Sequence, residues 1–245
     1  MEKERKFVLG VNYWPSEKAT YWWREFEPSM ARRDFSLMAE YRFDLARIFL
    51  LWEDFQPEVK RVSVKALEDL VRVADIAHDH RIKVLPTFFC GHLCGVNWVP
   101  SWLMEAGKGE GKYPLFSQGM IRKGRLRNMY SDREVWKAQK LLIHDTTDAL
   151  QGHPAVWGWD LGNQPSNLLP PLSRDSARPW LEEMVVELKR RNSSLPITMG
   201  IGQEDLEETR IPGPGELAPY VDFFSLQVGP GLAKWADGPM DEKAP

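Results

Sequence analysis

Polar side chains recur where apolar runs give way to loops: Asn12, Arg47, His92, Asn163, Gln164, Glu204 and Gln227. Amides, an imidazole, a guanidinium and a carboxylate can together hold a hydroxyl-rich ligand, and a carboxylate or imidazole can also move a proton. Tryptophans accompany them: Trp14, Trp52, Trp98 and Trp235. The indole plane suits the apolar CH face of a sugar ring. Each residue also has a plainer role open to it. Arg47 could be half of a buried ion pair, His92 a turn residue, and Glu204 the start of a solvated acidic helix with Asp205, Glu207 and Glu208. Any one Trp could simply be core. The set is more telling than its members.

These residues need a scaffold that gathers distant chain positions. Short β-rich runs alternate with longer helical patterns, which implies a parallel sheet built from βα units. Strands are expected at Phe7–Asn12, Asp44–Phe49, Ile82–Phe88, Val156–Leu161, Ile197–Ile201 and Val221–Leu226. Apolar spacing near 3.6 predicts helices over Val64–His78 and Val135–Leu150. A third is expected over Arg178–Arg191, with Pro179 in its first turn. The polar residues then fall at the C-terminal ends of successive strands, where α/β barrels build their sites. The longest connection, Cys90–Tyr130, belongs to the same face.

The fold class expected is α/β, of the TIM (β/α)8-barrel type, with six of eight βα units in a single partial-barrel domain over residues 1–245. No seventh strand is read after Gln227. An open six-strand sheet would leave two apolar edges, so self-association is expected.

The 245 residues carry 32 Lys+Arg against 35 Asp+Glu, without a basic stripe. That balance argues against nucleic acid or anionic lipid as partner and leaves a neutral one, an oligo- or polysaccharide. No apolar run is long enough for a signal-peptide core or a membrane span, so a cytoplasmic location is expected. Cys90-Gly-His-Leu-Cys94 has zinc-ligand types but lacks a fourth ligand and a usual spacing. No metal or cofactor is expected, and the two cysteines are read as free thiols.

Four stretches carry a family likeness: Gly10-Val-Asn-Tyr-Trp-Pro15, Ala46-Arg-Ile-Phe-Leu-Leu-Trp52, Pro86-Thr-Phe-Phe-Cys-Gly-His92 and Trp159-Asp-Leu-Gly-Asn-Gln-Pro165. In them the chain resembles the clan-A glycoside hydrolases, in particular the family 5-like cellulases and β-mannanases. The resemblance implies retaining hydrolysis of β-linked mannan- or glucan-type chains. It places Asn163 on the sugar hydroxyl beside the reacting carbon, Arg47 as brace for the nucleophile, and His92 along the glycone site. Gln164 stands at the position of the acid/base Glu. The nucleophile belongs to a strand seven that the sequence reading does not find.

Two further departures follow from the same likeness. Family members tend to carry a His after strand five, where this chain has Gly202, and a His and Tyr after strand six, where it reads Leu226-Gln-Val-Gly-Pro230. The expectation is an impaired hydrolase or, alternatively, a carbohydrate-binding remnant. Glu53, Asp54 and Glu204 are the carboxylates with a chance of standing in at the mouth.

Overall fold

The computed structural model describes residues 7–105, 111–190, 193–208 and 210–229. Six strands form one sheet in sequential order: β1 (Gly10–Tyr13), β2 (Leu45–Leu51), β3 (Lys83–Cys90), β4 (Trp159–Asn163), β5 (Ile197–Gly202) and β6 (Ser225–Gln227). Every adjacent pair is parallel. Parallel strands need crossovers, and helices supply them: α1 (Pro28–Glu40), α2 (Val64–Asp79), α3 (Arg133–Ala149) and α4 (Arg174–Lys189). Among the described residues the result is a partial (β/α)8 barrel, as expected, with β1 and β6 as the edge strands of the sheet.

All six expected strands are present, but five start later than their apolar runs and only β5 begins at the expected residue. Phe7, for instance, is 80% exposed and lies outside β1. The helices start where local chemistry closes their first turns. Ser63 accepts from the amide of Ala66 ahead of α2, and Asp132 accepts from those of Glu134 and Val135 ahead of α3. Ser173 and Ser176 cap α4 reciprocally, so that helix begins at Arg174. Pro179 therefore lies inside the helix, which corrects the expectation of a first-turn proline. Helix α1 is absent from the sequence expectations. It buries only Met30, Ala31 and Phe35, too sparse a stripe to stand out among Arg, Asp and Ser.

The long connection after β3 is itself structured. His92–Leu93, Val96–Trp98, Leu115–Ser117 and Met120–Arg122 form a small four-stranded sheet, and Met104–Glu105 pairs with Arg125–Leu126. Trp102 Nε1 donates to Gln56 O at 2.8 Å, and the Gln118 amide to Glu53 Oε1 at 2.8 Å. These bonds fasten the insertion to the turn after β2. The core between sheet and helices is filled by large side chains, among them Trp22, Phe35, Phe88, Trp159 and Trp180, which exclude water and give the strand ends a rigid base.

Candidate functional site

The floor of the site is a buried ion pair. Arg47 on β2 and Asp160 on β4 are brought together by the shared sheet, with Arg47 Nη2 at 2.5 Å and Nε at 2.7 Å from Asp160 Oδ2. Asp160 is wholly enclosed, and such a charge is tolerable only with its lone pairs filled. They are filled: Thr87 Oγ1 donates to Oδ2, and the amides of Gly162 and Gly200 donate to Oδ1. Gly200 is required here for space, since a Cβ on it would collide with the Arg47 guanidinium and lie 2.8 Å from Gly162 O. Asp160, which anchors this floor, is absent from the residues expected from the sequence. Its signal was a charge in the middle of an apolar strand.

A one-way chain of amides lies above this floor. Arg210 Nη1 donates to Asn167 Oδ1 (2.8 Å) and Asn167 Nδ2 to Gln164 Oε1 (3.3 Å). Gln164 Nε2 donates to Gln227 Oε1 (2.5 Å) and Gln227 Nε2 to Asn163 Oδ1 (2.7 Å). Asn163 Nδ2 then donates to His92 O (2.8 Å), while Arg47 Nη1 also donates to Asn163 Oδ1 (3.1 Å). The arginines can only donate and the His92 carbonyl can only accept, so every amide between them has one permitted orientation. The backbone helps to place Gln164. The register slips between Asp160 and Asn163, and Gln164 takes a left-handed conformation at φ 47°, ψ 56°, which turns its side chain into the mouth. A non-glycine residue in that region costs about 1–2 kcal/mol, a strain concentrated at functional sites.

His92 occupies the opposite wall. Asn97 Nδ2 donates to the carbonyls of Asn167 and Leu168, so its Oδ1 faces His92 Nδ1 at 2.7 Å. The proton of a neutral imidazole then sits on Nδ1, which leaves Nε2 as an acceptor. Burial pushes the His92 pKa below the usual histidine value. The Asn97 bond and the nearby Glu204 charge pull it back up, and Lys112 adds slightly to the depression.

These walls enclose a cavity of about 470 Å³. Trp14, His92, Asn163, Gln164, Glu204 and Gln227 line it, together with Asn12, Phe49, Tyr113 and Asn167. The Trp14 ring stacks on Phe49 at 4.9 Å and 11°, and the Arg47 guanidinium lies 4.7 Å from the centre of the same Phe49 ring. Among the described residues Glu204 is the one carboxylate in the lining.

Other candidates take different places. Arg47 lies beneath the cavity. Trp52 corrects the expectation of a sugar platform, because it is 0% exposed, bonded to Gln56 and packed on Phe89 and Trp102, leaving no face for a ligand. Trp98 stands outside the lining, against Phe116 and Tyr21. Trp235 lies outside the described residues. Glu53 and Asp54 are claimed by Arg24, with bonds of 2.6 Å each, and do not face the cavity. Asn167 and Tyr113 were not anticipated, since nothing in their local sequence sets them apart. Cys90 is buried while Cys94 is exposed, and among the described residues no three His, Cys, Asp or Glu side chains are grouped to hold a metal ion. The last sheet strand among the described residues is β6, so the expected nucleophile position has no counterpart there.

No protein-family model matches the chain, and no curated protein sequence does. Solved structures with the same fold are numerous. A GH5_18 protein from Streptomyces cattleya, crystallised with Manβ1-4GlcNAc, superposes with a TM-score of 0.78 at 22% identity, over 90% of this chain and 51% of that one. An exo-β-1,4-mannosidase from Opitutaceae bacterium strain TAV5 gives 0.77 at 21% identity, over 93% and 39%. A β-mannanase from the blue mussel Mytilus edulis gives 0.59 at 14% identity, over 89% and 67%. The chain thus spans about half the length of the GH5_18 protein, and it has the fold of the family 5 glycoside hydrolase barrels.

Proposed function

We propose that this chain forms the sugar-holding part of a glycoside hydrolase-type barrel, which takes β-linked mannan- or glucan-type saccharides at its mouth without a proton donor at position 164. The observation that carries this reading is the oriented amide chain through Gln164. Retaining hydrolysis uses two carboxyl groups about 5–5.5 Å apart, one attacking the anomeric carbon while the other protonates the departing oxygen. Gln164 has no proton to give near neutral pH, and its oxygen and nitrogen are both engaged with neighbouring amides. Loss of a general acid typically costs about 10²–10⁴-fold in rate, most for leaving groups that need a proton. What remains is a binding surface: the Trp14 plane, the His92 acceptor, Asn12 and Glu204.

Manno-configured sugars come first as ligands because one structural neighbour is named an exo-β-1,4-mannosidase, another a β-mannanase, and a third was crystallised with Manβ1-4GlcNAc. A role for a second copy of the chain along the unpaired edges of β1 and β6 belongs to the same proposal.

The test is dinitrophenol release from dinitrophenyl β-mannoside and β-glucoside, whose leaving group departs without a proton. No release above buffer is expected, alongside measurable binding of β-1,4-mannobiose. Saturable release abolished by denaturation would contradict the binding-only reading and make Glu204 the first carboxylate to replace.

A further inference from the structure

The amides of the mouth are largely occupied with one another, which narrows what a ligand can engage. Asn163, Gln164, Gln227 and Asn167 each give and receive within the chain that runs from Arg210 to the His92 carbonyl. Glu204 differs. Among the described residues its carboxylate has no hydrogen-bond or ion-pair partner, although it lines the cavity. It reaches the mouth by folding back over Gly202, where a Cβ would lie 2.7 Å from Glu204 Oε2 and 3.3 Å from Gln164 Nε2. Gly202 is thus the space into which Glu204 bends, and the carboxylate arrives beside the Gln164 amide. A second acceptor on the lining is His92 Nε2, left without a proton because Nδ1 donates to Asn97.

We infer that Glu204 and His92 Nε2 are a pair of specificity-determining acceptors that take two hydroxyl donors from one edge of a bound sugar ring. The inference rests on the saccharide reading above and deepens it. A carboxylate and a bare imidazole nitrogen lack protons, so the groups they prefer must both donate, as vicinal hydroxyls do. The bond to the Glu204 carboxylate is charge-assisted and stronger than a neutral one, and an epimer that fails to present both hydroxyls leaves an acceptor of the site unpaired. Asn12, on β1, lines the same cavity and can either give or take a bond, which accommodates a hydroxyl of either orientation.

The experiment measures binding of β-1,4-mannobiose and its monodeoxy analogues to the full chain, by Trp fluorescence or calorimetry. The unsubstituted protein is compared with Glu204→Gln, Gly202→Ala and Trp14→Ala. Glu204→Gln keeps the shape and removes the charge. Gly202→Ala meets only the flexible ends of Glu204 and Gln164, so it displaces the carboxylate without forcing the backbone. Each is expected to weaken binding by about tenfold or more, with melting temperatures unchanged. One deoxy analogue should lose affinity for the unsubstituted protein but lose nothing further for Glu204→Gln. Equal affinity for the Glu204→Gln and unsubstituted proteins, with binding still sensitive to Trp14→Ala, would overturn this inference and leave the saccharide reading standing. Absence of saturable binding to the unsubstituted protein would overturn both.

Discussion

Gln164 accepts from Asn167 and donates to Gln227, and only an amide or a protonated acid can do both. Gln164→Glu should therefore fail to restore an ordinary acid/base residue by substitution alone. The new carboxyl would face Gln227 Oε1, so its pKa in the folded protein is expected to lie above the unfolded value of about 4.3. A raised carboxyl pKa means the folded state binds the proton more tightly, so the variant loses stability as pH rises through that pKa. Urea denaturation should show the variant weaker than the parent at pH 7, with the gap closing as pH falls toward 4; a gap independent of pH would contradict the oriented chain. Asp160→Asn should cost about 3–5 kcal/mol, because it strands the buried Arg47 charge, and the same denaturation assay reads it. Asn163 and Gln164 were legible from their place at a strand end, whereas Arg47 lies within β2 and stood out as a charge in an apolar run. Asp160 was legible only in principle, as a lone charge in an apolar run, and Trp52 was misread because a Trp near the strand end says nothing about which way its ring turns.

At the scale of the elements, the two tryptophans separate packing from binding. Trp52→Ala empties a closed site between Phe89 and Trp102 and should cost about 3–5 kcal/mol in stability. Trp14→Ala removes a half-buried ring from the cavity wall and should leave the melting temperature nearly unchanged while weakening sugar binding. The reverse pattern would place the cavity elsewhere. The six strands were legible because parallel strands buried on both faces appear as short apolar runs. Their C-terminal ends were not, because the apolar run stops where polar residues such as Asn163 and Gln227 begin, while the ladder continues through them. Helices α2 and α3 were legible from their apolar period and α1 was not, for want of a wide buried stripe. The small sheets after β3 escaped because strands of two or three residues leave no periodic trace.

For the whole molecule, the expectation of self-association rests on the two edge strands of the described sheet. Val8 and Leu9 beside β1, and Phe224, Leu226 and Val228 at β6, are exposed large apolar side chains along strands with no outer partner among the described residues. Unpaired strand edges of this kind recruit other chains, so the 245-residue polypeptide should self-associate with rising concentration in sedimentation velocity runs. A single monomeric species across the range would contradict that. Among the described residues no helix is long and apolar enough to cross a membrane. The partial-barrel architecture was legible from the alternation of strands and helices, whereas the amide chain depends on side-chain orientations that no sequence pattern specifies. The most direct test of the central claim is calorimetric titration of the protein with β-1,4-mannobiose, with Trp14→Ala in parallel. Saturable binding that Trp14→Ala weakens is the predicted result; heats no different from dilution, or binding that Trp14→Ala leaves unchanged, would contradict the assignment of the mouth as a saccharide site.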